Sequence, residues 1–256
     1  MTIHITGDTH GTISIRRFTT RNWPTGKTLT KNDYVIILGD FGLVFDSPEE
    51  SPEEKYWLDW LDSRPWTTLF IDGNHENFDR LFSDEFEVRP WHGGQARFVR
   101  PSVIHLIRGE IYDIDGISFL AFGGAHSIDK HTRVPHESWW EQEVPNFTER
   151  GNCIINLENA GNQVDVVLTH DAPSAALRRW PLVSYGFSED TNTNWLQTNI
   201  AEAITFNRWF FGHFHIDAPT ARPYTPLFDE IIELELDGEN AYSAASSAAV
   251  FEELMF

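Results

Sequence analysis

Cysteine is nearly absent: Cys153 stands alone among 256 residues, so no internal disulfide can form and stability has to come from packing. Long hydrophobic runs are missing too. No segment approaches the roughly 20 apolar residues of a membrane span, and the N-terminus runs into a strand-like segment without a charged-then-apolar leader. A soluble, cytoplasmic protein with no membrane partner is expected. Positive charge is the third scarcity, with nineteen Lys and Arg against thirty-nine Asp and Glu, a formal net charge of −20. Tight binding to long nucleic acid depends on neutralising phosphates with basic side chains, so long DNA or RNA is disfavoured as a partner. Much of the acidity is local, in Glu49, Glu50, Glu53 and Glu54 and again from Asp229 to Glu239. Both groups read as solvated surface.

Aromatic residues are plentiful. Ten Trp and nineteen Phe within a 41% apolar composition can fill one substantial core, so residues 1–256 are expected to form a single domain. Periodicity places strands at 2–6, 34–38, 67–71, 164–169 and 208–211 and a last strand over 230–236. The stretch 86–122 is β-rich, with runs at 103–107, 110–114 and 117–122, and Asp115-Gly116 marks a hairpin turn. Helices are predicted near 52–63, with Ser51 as cap, Pro52 in the first turn and Tyr56, Trp57, Trp60 and Leu61 on one face. Others are predicted over 77–82, 136–143, 147–160 and 192–205. Cys153, in Asn152-Cys153-Ile154-Ile155, reads as a buried core thiol. Pattern alone implies a mixed α/β domain.

Chemistry concentrates where the strands end. Five polar clusters stand there: Gly7-Asp8-Thr9-His10-Gly11, Gly39-Asp40, Gly73-Asn74-His75-Glu76, Thr169-His170-Asp171 and Gly212-His213-Phe214-His215. In α/β proteins such strand ends share one rim of the sheet, so these carboxylate, imidazole and amide groups are expected to converge and hold metal. The neighbouring glycines are expected to let the chain turn sharply as it leaves each strand.

In order and content the clusters resemble the calcineurin-like metallophosphoesterase family, whose pattern is D-x-H, G-D, G-N-H-[DE], a lone His after a strand, and G-H-x-H. All five are present, from Asp8 to His215. The resemblance implies an α/β fold of the layered αββα sandwich type, two mixed sheets flanked by helices. It implies two divalent metal ions as cofactors, manganese first and iron, zinc, cobalt or nickel as others that suit oxygen and nitrogen ligands. Asp8, His10 and His215 would hold one ion, Asn74, His170 and His213 the other, with Asp40 bridging. His75 would stand beside the substrate as proton donor. The activity implied is hydrolysis of a phosphomonoester or small phosphodiester by a metal-activated hydroxide, on a small phosphorylated substrate or a phosphopeptide. The alternative is a noncatalytic phosphate- or protein-binding scaffold that retains the fold; lost ligands would mark it, and none is lost.

Departures narrow the resemblance. Protein serine/threonine phosphatases of the superfamily carry G-D-x-V-D-R-G and an Arg before G-N-H-E. Here Phe41 to Phe45 follow Gly39-Asp40, and Asp72 precedes Gly73. Small bacterial and bacteriophage metallophosphoesterases are nearer, sharing a Gly-Gly-Ala segment followed by an Arg and a Trp pair, here Gly123-Gly124-Ala125, Arg133 and Trp139-Trp140. Arg133 is a candidate for gripping a phosphate oxygen, or else a surface Arg paired with Asp129. His126 is a second candidate substrate contact, or an ordinary structural His. Arg178 and Arg179 could approach the site but read adequately as the start of a helix, and the Trp pair as pocket wall or core.

Overall fold

The computed structural model describes residues 1–180 and 190–236. The last part of the acidic run at 229–239 lies outside them. Twelve strands form two sheets among the described residues. The first sheet holds β1 (Ile3–Thr6), β2 (Tyr34–Leu38), β3 (Thr67–Ile71), β4 (Glu87–Trp91), β5 (Gly94–Arg100), β6 (Val103–Leu106) and β12 (Ile232–Glu233), in the order β12-β1-β2-β3-β6-β5-β4. Its central four strands, β1, β2, β3 and β6, are parallel. The second holds β7 (Ile111–Ile114), β8 (Ile117–Phe122), β9 (Val166–Thr169), β10 (Arg208–Phe211) and β11 (Tyr224–Pro226), in the order β11-β10-β9-β8-β7, with only β7 antiparallel.

Alternation along each strand builds three apolar layers. Ile36 and Leu38 of β2 meet Phe119, Ala121, Val166 and Leu168 of the second sheet in a core between the sheets. Val35 and Ile37 point the other way, onto α1 (Pro52–Asp62) through Trp57, Leu58 and Leu61. On the far side Leu120, Phe122 and Val167 pack against Cys153 and Leu157 of α3 (Phe147–Asn159) and Leu196 of α5 (Thr191–Leu196). Strands covered on both faces need apolar residues at every position, which explains their unbroken runs. The result is the expected αββα sandwich.

Local chemistry sets the boundaries. Ser51 caps α1 by accepting from the Glu54 amide at 3.2 Å, with Pro52 in the first turn. The buried face of α1 is Glu54, Trp57, Leu58 and Leu61, however; Tyr56 is exposed and Trp60 only half-buried, because the stripe follows the three-four spacing from Glu54. Asp115 and Gly116 both take positive φ, 58° and 82°, as a tight hairpin turn requires. Cys153 is buried, and burial pushes its thiol up to about 12.

Several expected elements differ. Residues 136–143 are not a helix: a turn bridged between Pro135 and Trp139 precedes a short 3-10 turn at Glu141–Glu143. The Asp79 carboxylate accepts from Trp140 Nε1 at 2.8 Å while the Trp140 ring enters the core, so a tertiary anchor overrides helical propensity. The helix expected at 192–205 is α5 followed by a π turn at Gln197–Ala201. The strand expected at 164–169 begins at Val166, and that at 230–236 shrinks to Ile232–Glu233. The hairpin of β4 and β5, the strand β11 and the short helices α2 (Phe78–Leu81) and α4 (Ser174–Leu177) complete the fold. Arg178 follows the end of α4 rather than opening a helix. Among the described residues, no helix is long and apolar enough to cross a membrane.

Candidate metal centre

The five clusters all follow parallel strands: β1, β2 and β3 in one sheet, β9 and β10 in the other. Their side chains meet at that rim in two groups, Asp8 with His10 and His215, and Asp8 with Asp40 and His170, with ligand-capable atoms of each group within 4.8 Å of one another. In the first, His10 Nε2 and His215 Nε2 are 3.1 Å apart, and His215 Nε2 is 3.3 Å from Asp8 Oδ2. Ligands about 2.1 Å from one ion stand roughly 3 Å from each other, so these spacings suit a shared cation. Asp8 Oδ2 is buried with no aligned hydrogen-bond donor among the described residues, an orphan acceptor that an ion would satisfy.

Asp40 touches both groups. Its Oδ2 lies 3.7 Å from His10 Nδ1, and its Oδ1 lies 3.3 Å from His170 Nε2. Asp8 also belongs to both, so two carboxylates face each position. Asn74 Oδ1 is 3.2 Å from His170 Nε2, while Asn74 Nδ2 donates to Ser127 Oγ at 3.0 Å, which orients the amide oxygen toward the ligands. The His213 ring sits 4.9 Å from that of His170, and its amide donates to Asp8 Oδ1 at 3.1 Å. His170 Nδ1 donates to the Leu38 carbonyl at 2.7 Å, leaving Nε2 for the ligand cluster.

The backbone is bent to achieve this. His10, Asp40, His213 and His215 have φ of 46°, 44°, 66° and 52°, a left-handed region that costs non-glycine residues energy. Four of the seven expected ligands share that strain, as functional sites often do. Of the glycines, Gly39 needs its conformation, at φ 89°. Gly73 and Gly212 serve close approach instead: a Cβ would stand 2.0 Å from Asp40 Oδ1 at the first and 2.3 Å from Asp8 Oδ1 at the second.

Charge is concentrated on the buried Asp8, Asp40 and His170, while His10 is part-exposed and His215 exposed. Burial alone would depress His170, yet Asp40 and Asp8 raise it to about 10. Burial would raise Asp40, yet the neighbouring imidazoles, His170 foremost, hold it well below the carboxylate range. His213 is driven well below its ordinary value by burial and by His170, and Asp8 raises His215. A cation would displace the His170 proton, so metal uptake is coupled to proton release.

His75 stands at the edge, part-exposed, with Nε2 4.0 Å from Asp40 Oδ2. Arg133 reaches it: two guanidinium nitrogens lie 2.8 and 3.2 Å from its two ring nitrogens, and a neutral imidazole can accept from one. Burial lowers the His75 pKa; the positive charge of Arg133 acts in the same direction, while Asp40 opposes both. Arg133 also pairs with Asp129 at 2.8 Å, the pairing expected of it as a surface Arg, while its fork faces His75. His126 instead approaches Thr191 at 3.3 Å and lines a separate cavity of about 740 Å3 with Lys130, Trp139 and Arg150.

The supporting residues were less legible. Glu76 accepts from the Phe41 and Gly42 amides at 2.7 and 3.1 Å, locking the loop after β2 to the one after β3. Arg17 donates to the Asp8 carbonyl at 2.8 Å, and Glu143 fixes Ser127. Asp72, just before Gly73, is buried between His105 at 3.0 Å and Arg108 at 2.8 Å. Only Glu76 gave a signal, as the last residue of the third cluster.

Comparison with known proteins agrees with this geometry. The family described as calcineurin-like phosphoesterase matches residues 1–217. The lariat debranching enzyme of Entamoeba histolytica is 24% identical over 190 residues, covering 70% of this chain and 48% of that protein. The chain thus spans about half the length of that curated relative. With most of its length matched, the chain belongs to the calcineurin-like phosphoesterase family.

Proposed function

As a member of that family the chain is, we propose, a metal-dependent hydrolase of a phosphomonoester or small phosphodiester, working with two divalent ions, manganese foremost. The observation that carries this reading is the convergence of Asp8, His10, Asp40, His170 and His215 into two adjoining ligand groups. Two bound divalent ions would attract phosphate oxygens and acidify a water. Asp40 would serve both positions and Asp8 reaches both, while Asn74 and His213 complete the second. As proton donor His75 would have to be protonated; burial and the Arg133 charge favour its neutral form, so Arg133 would have to turn away toward the phosphate before His75 could take up a proton and pass it to the departing oxygen. Arg133 would offer its fork to a phosphate oxygen, releasing the His75 nitrogen it now occupies. The proposed substrate is small, or a phosphopeptide, and the proposed setting is the cytoplasm, with the chain acting as one domain.

Hydrolysis of 4-nitrophenyl phosphate and bis(4-nitrophenyl) phosphate tests the reading. Chelation is expected to abolish turnover and Mn²⁺ to restore it, with bound metal counted by mass spectrometry. Turnover that persists once metal is shown to be gone would end the two-metal proposal.

A further inference from the structure

The candidate metal centre opens into a cavity of about 330 Å3 whose wall includes His10 and His75. If His75 protonates the leaving oxygen, the rest of the leaving group must lie on the His75 side, and this cavity is the space there. A volume near that of ten waters, at ~30 Å3 each, suits one ring with a substituent. Part of the lining is apolar, from Ile13, Leu43 and Phe45. The rest is acidic. Glu54 is already neutralised, with Arg80 Nη1 at 2.6 Å. The carboxylates of Asp46 and Glu53 have no such partner: that of Asp46 accepts only the Ser51 hydroxyl among the described residues, Arg80 and Asn77 donating to the Asp46 backbone carbonyl at 2.9 and 3.2 Å instead, and Glu53 is exposed in the first turn of α1. Among the described residues no Lys or Arg lines the cavity.

We infer that this cavity receives the leaving alcohol and selects a compact, apolar-faced group that is cationic over one that is anionic, through the carboxylates of Asp46 and Glu53. The inference rests on the phosphoesterase reading. Phosphate itself is drawn by the metals, so the two carboxylates act on what departs. An alcohol bearing a quaternary ammonium would set its charge near them, whereas a sulfonate, a carboxylate or a second phosphate there would be repelled. At low ionic strength the discrimination is on the order of tenfold in kcat/KM, and it shrinks in salt as screening grows.

The test uses two aryl phosphates of comparable leaving-group acidity, 4-(trimethylammonio)phenyl phosphate and 4-sulfophenyl phosphate, on the manganese-loaded chain. The cationic ester is expected to be favoured, and the ratio to fall toward one in Glu53→Gln and in Asp46→Asn. Asp46→Asn can loosen the cap of α1, because Asp46 accepts from Ser51; Glu53→Gln disturbs no such bond and is the deciding variant. Equal or reversed preference in the parent, or a ratio unmoved by Glu53→Gln, would overturn the inference. Should neither ester turn over, the reading as a phosphomonoesterase falls, and calorimetric titration with the two free phenols still decides the cavity. Tighter binding of the ammonium phenol, lost in Glu53→Gln, supports it; equal binding refutes it.

Discussion

Replacing Asp40 by Asn separates its two roles. Asp40 Oδ1 accepts the amides of Asn74 and His75, each at 2.8 Å, so this carboxylate holds the third ligand loop in place even before any ion binds. Hydrogen bonds to a charged acceptor contribute about 1.5–3 kcal/mol each and neutral ones about 1 kcal/mol. Asn can keep its oxygen on those amides, so the loss is roughly 1–4 kcal/mol of loop anchoring. In the metal-free chain, hydrogen exchange at the Asn74 and His75 amides should therefore quicken by about ten- to several-hundredfold. Removing the charge also removes the strongest support for protonated His170, whose pKa should drop from about 10. That change alone would ease metal uptake, since the ion no longer competes with a tightly held proton. Loss of a ligand shared by both groups opposes it and should win, because a neutral amide is a far weaker partner for a divalent cation. The expected outcome is lower metal content, turnover reduced more than for any variant of a ligand serving one group, and faster exchange in the loop. Two bound metals with near-normal turnover would refute the bridging role. Unchanged exchange would refute the anchoring role independently.

Other predictions address separate parts of the molecule. His75→Gln should keep its metal but slow esters of poorly acidic alcohols by roughly 10²–10⁴, with much smaller losses for acidic phenols; equal losses across leaving groups would remove it from the proton-donor role. Gly212→Ala forces a Cβ to within 2.3 Å of Asp8 Oδ1 and 2.6 Å of the Leu38 carbonyl, so thermal melting of the metal-free chain should show a loss of about 1–3 kcal/mol together with lower metal content. Asp33 lies far from this chemistry in role. Burial pushes it up, but hydrogen bonds from the amides and hydroxyls of Thr2 and Thr30 bring it from 3.8 to about 2. A depressed carboxylate stabilises the fold above its unfolded pKa and stops doing so as pH falls from about 4 through 2. Urea midpoints for Asp33→Asn should therefore converge on the parent's in that window, and a constant gap down to pH 2 would contradict the assignment.

Much of the architecture was legible because local and global signals coincide. The runs Tyr34 to Leu38 and Arg208 to Phe211 are strands in the structure as in the pattern, since apolar residues at both parities suit a strand covered on two faces. The capping signals also held, with Ser51 ahead of Pro52 and the positive-φ pair Asp115-Gly116. The expected helix at 136–143 failed because its Trp pair is divided: Trp140 is buried and tied to Asp79, while Trp139 lines a cavity. Nothing local to that segment announces Asp79, which is about sixty positions away.

The candidate site divides in the same way. The types of ligand, their order and their place after strands are sequence properties, because each cluster sits within a few residues of the strand that aims it. Which side chains share a position is a tertiary property. The nearness of His10 to His215, the double membership of Asp8, and the contact of Arg133 with His75 arise only when two sheets bring distant strand ends to one rim. The purpose of Gly73 and Gly212 was hidden for the same reason: it is set by the carboxylates of Asp40 and Asp8 from other strands, packed too close for a Cβ to intervene.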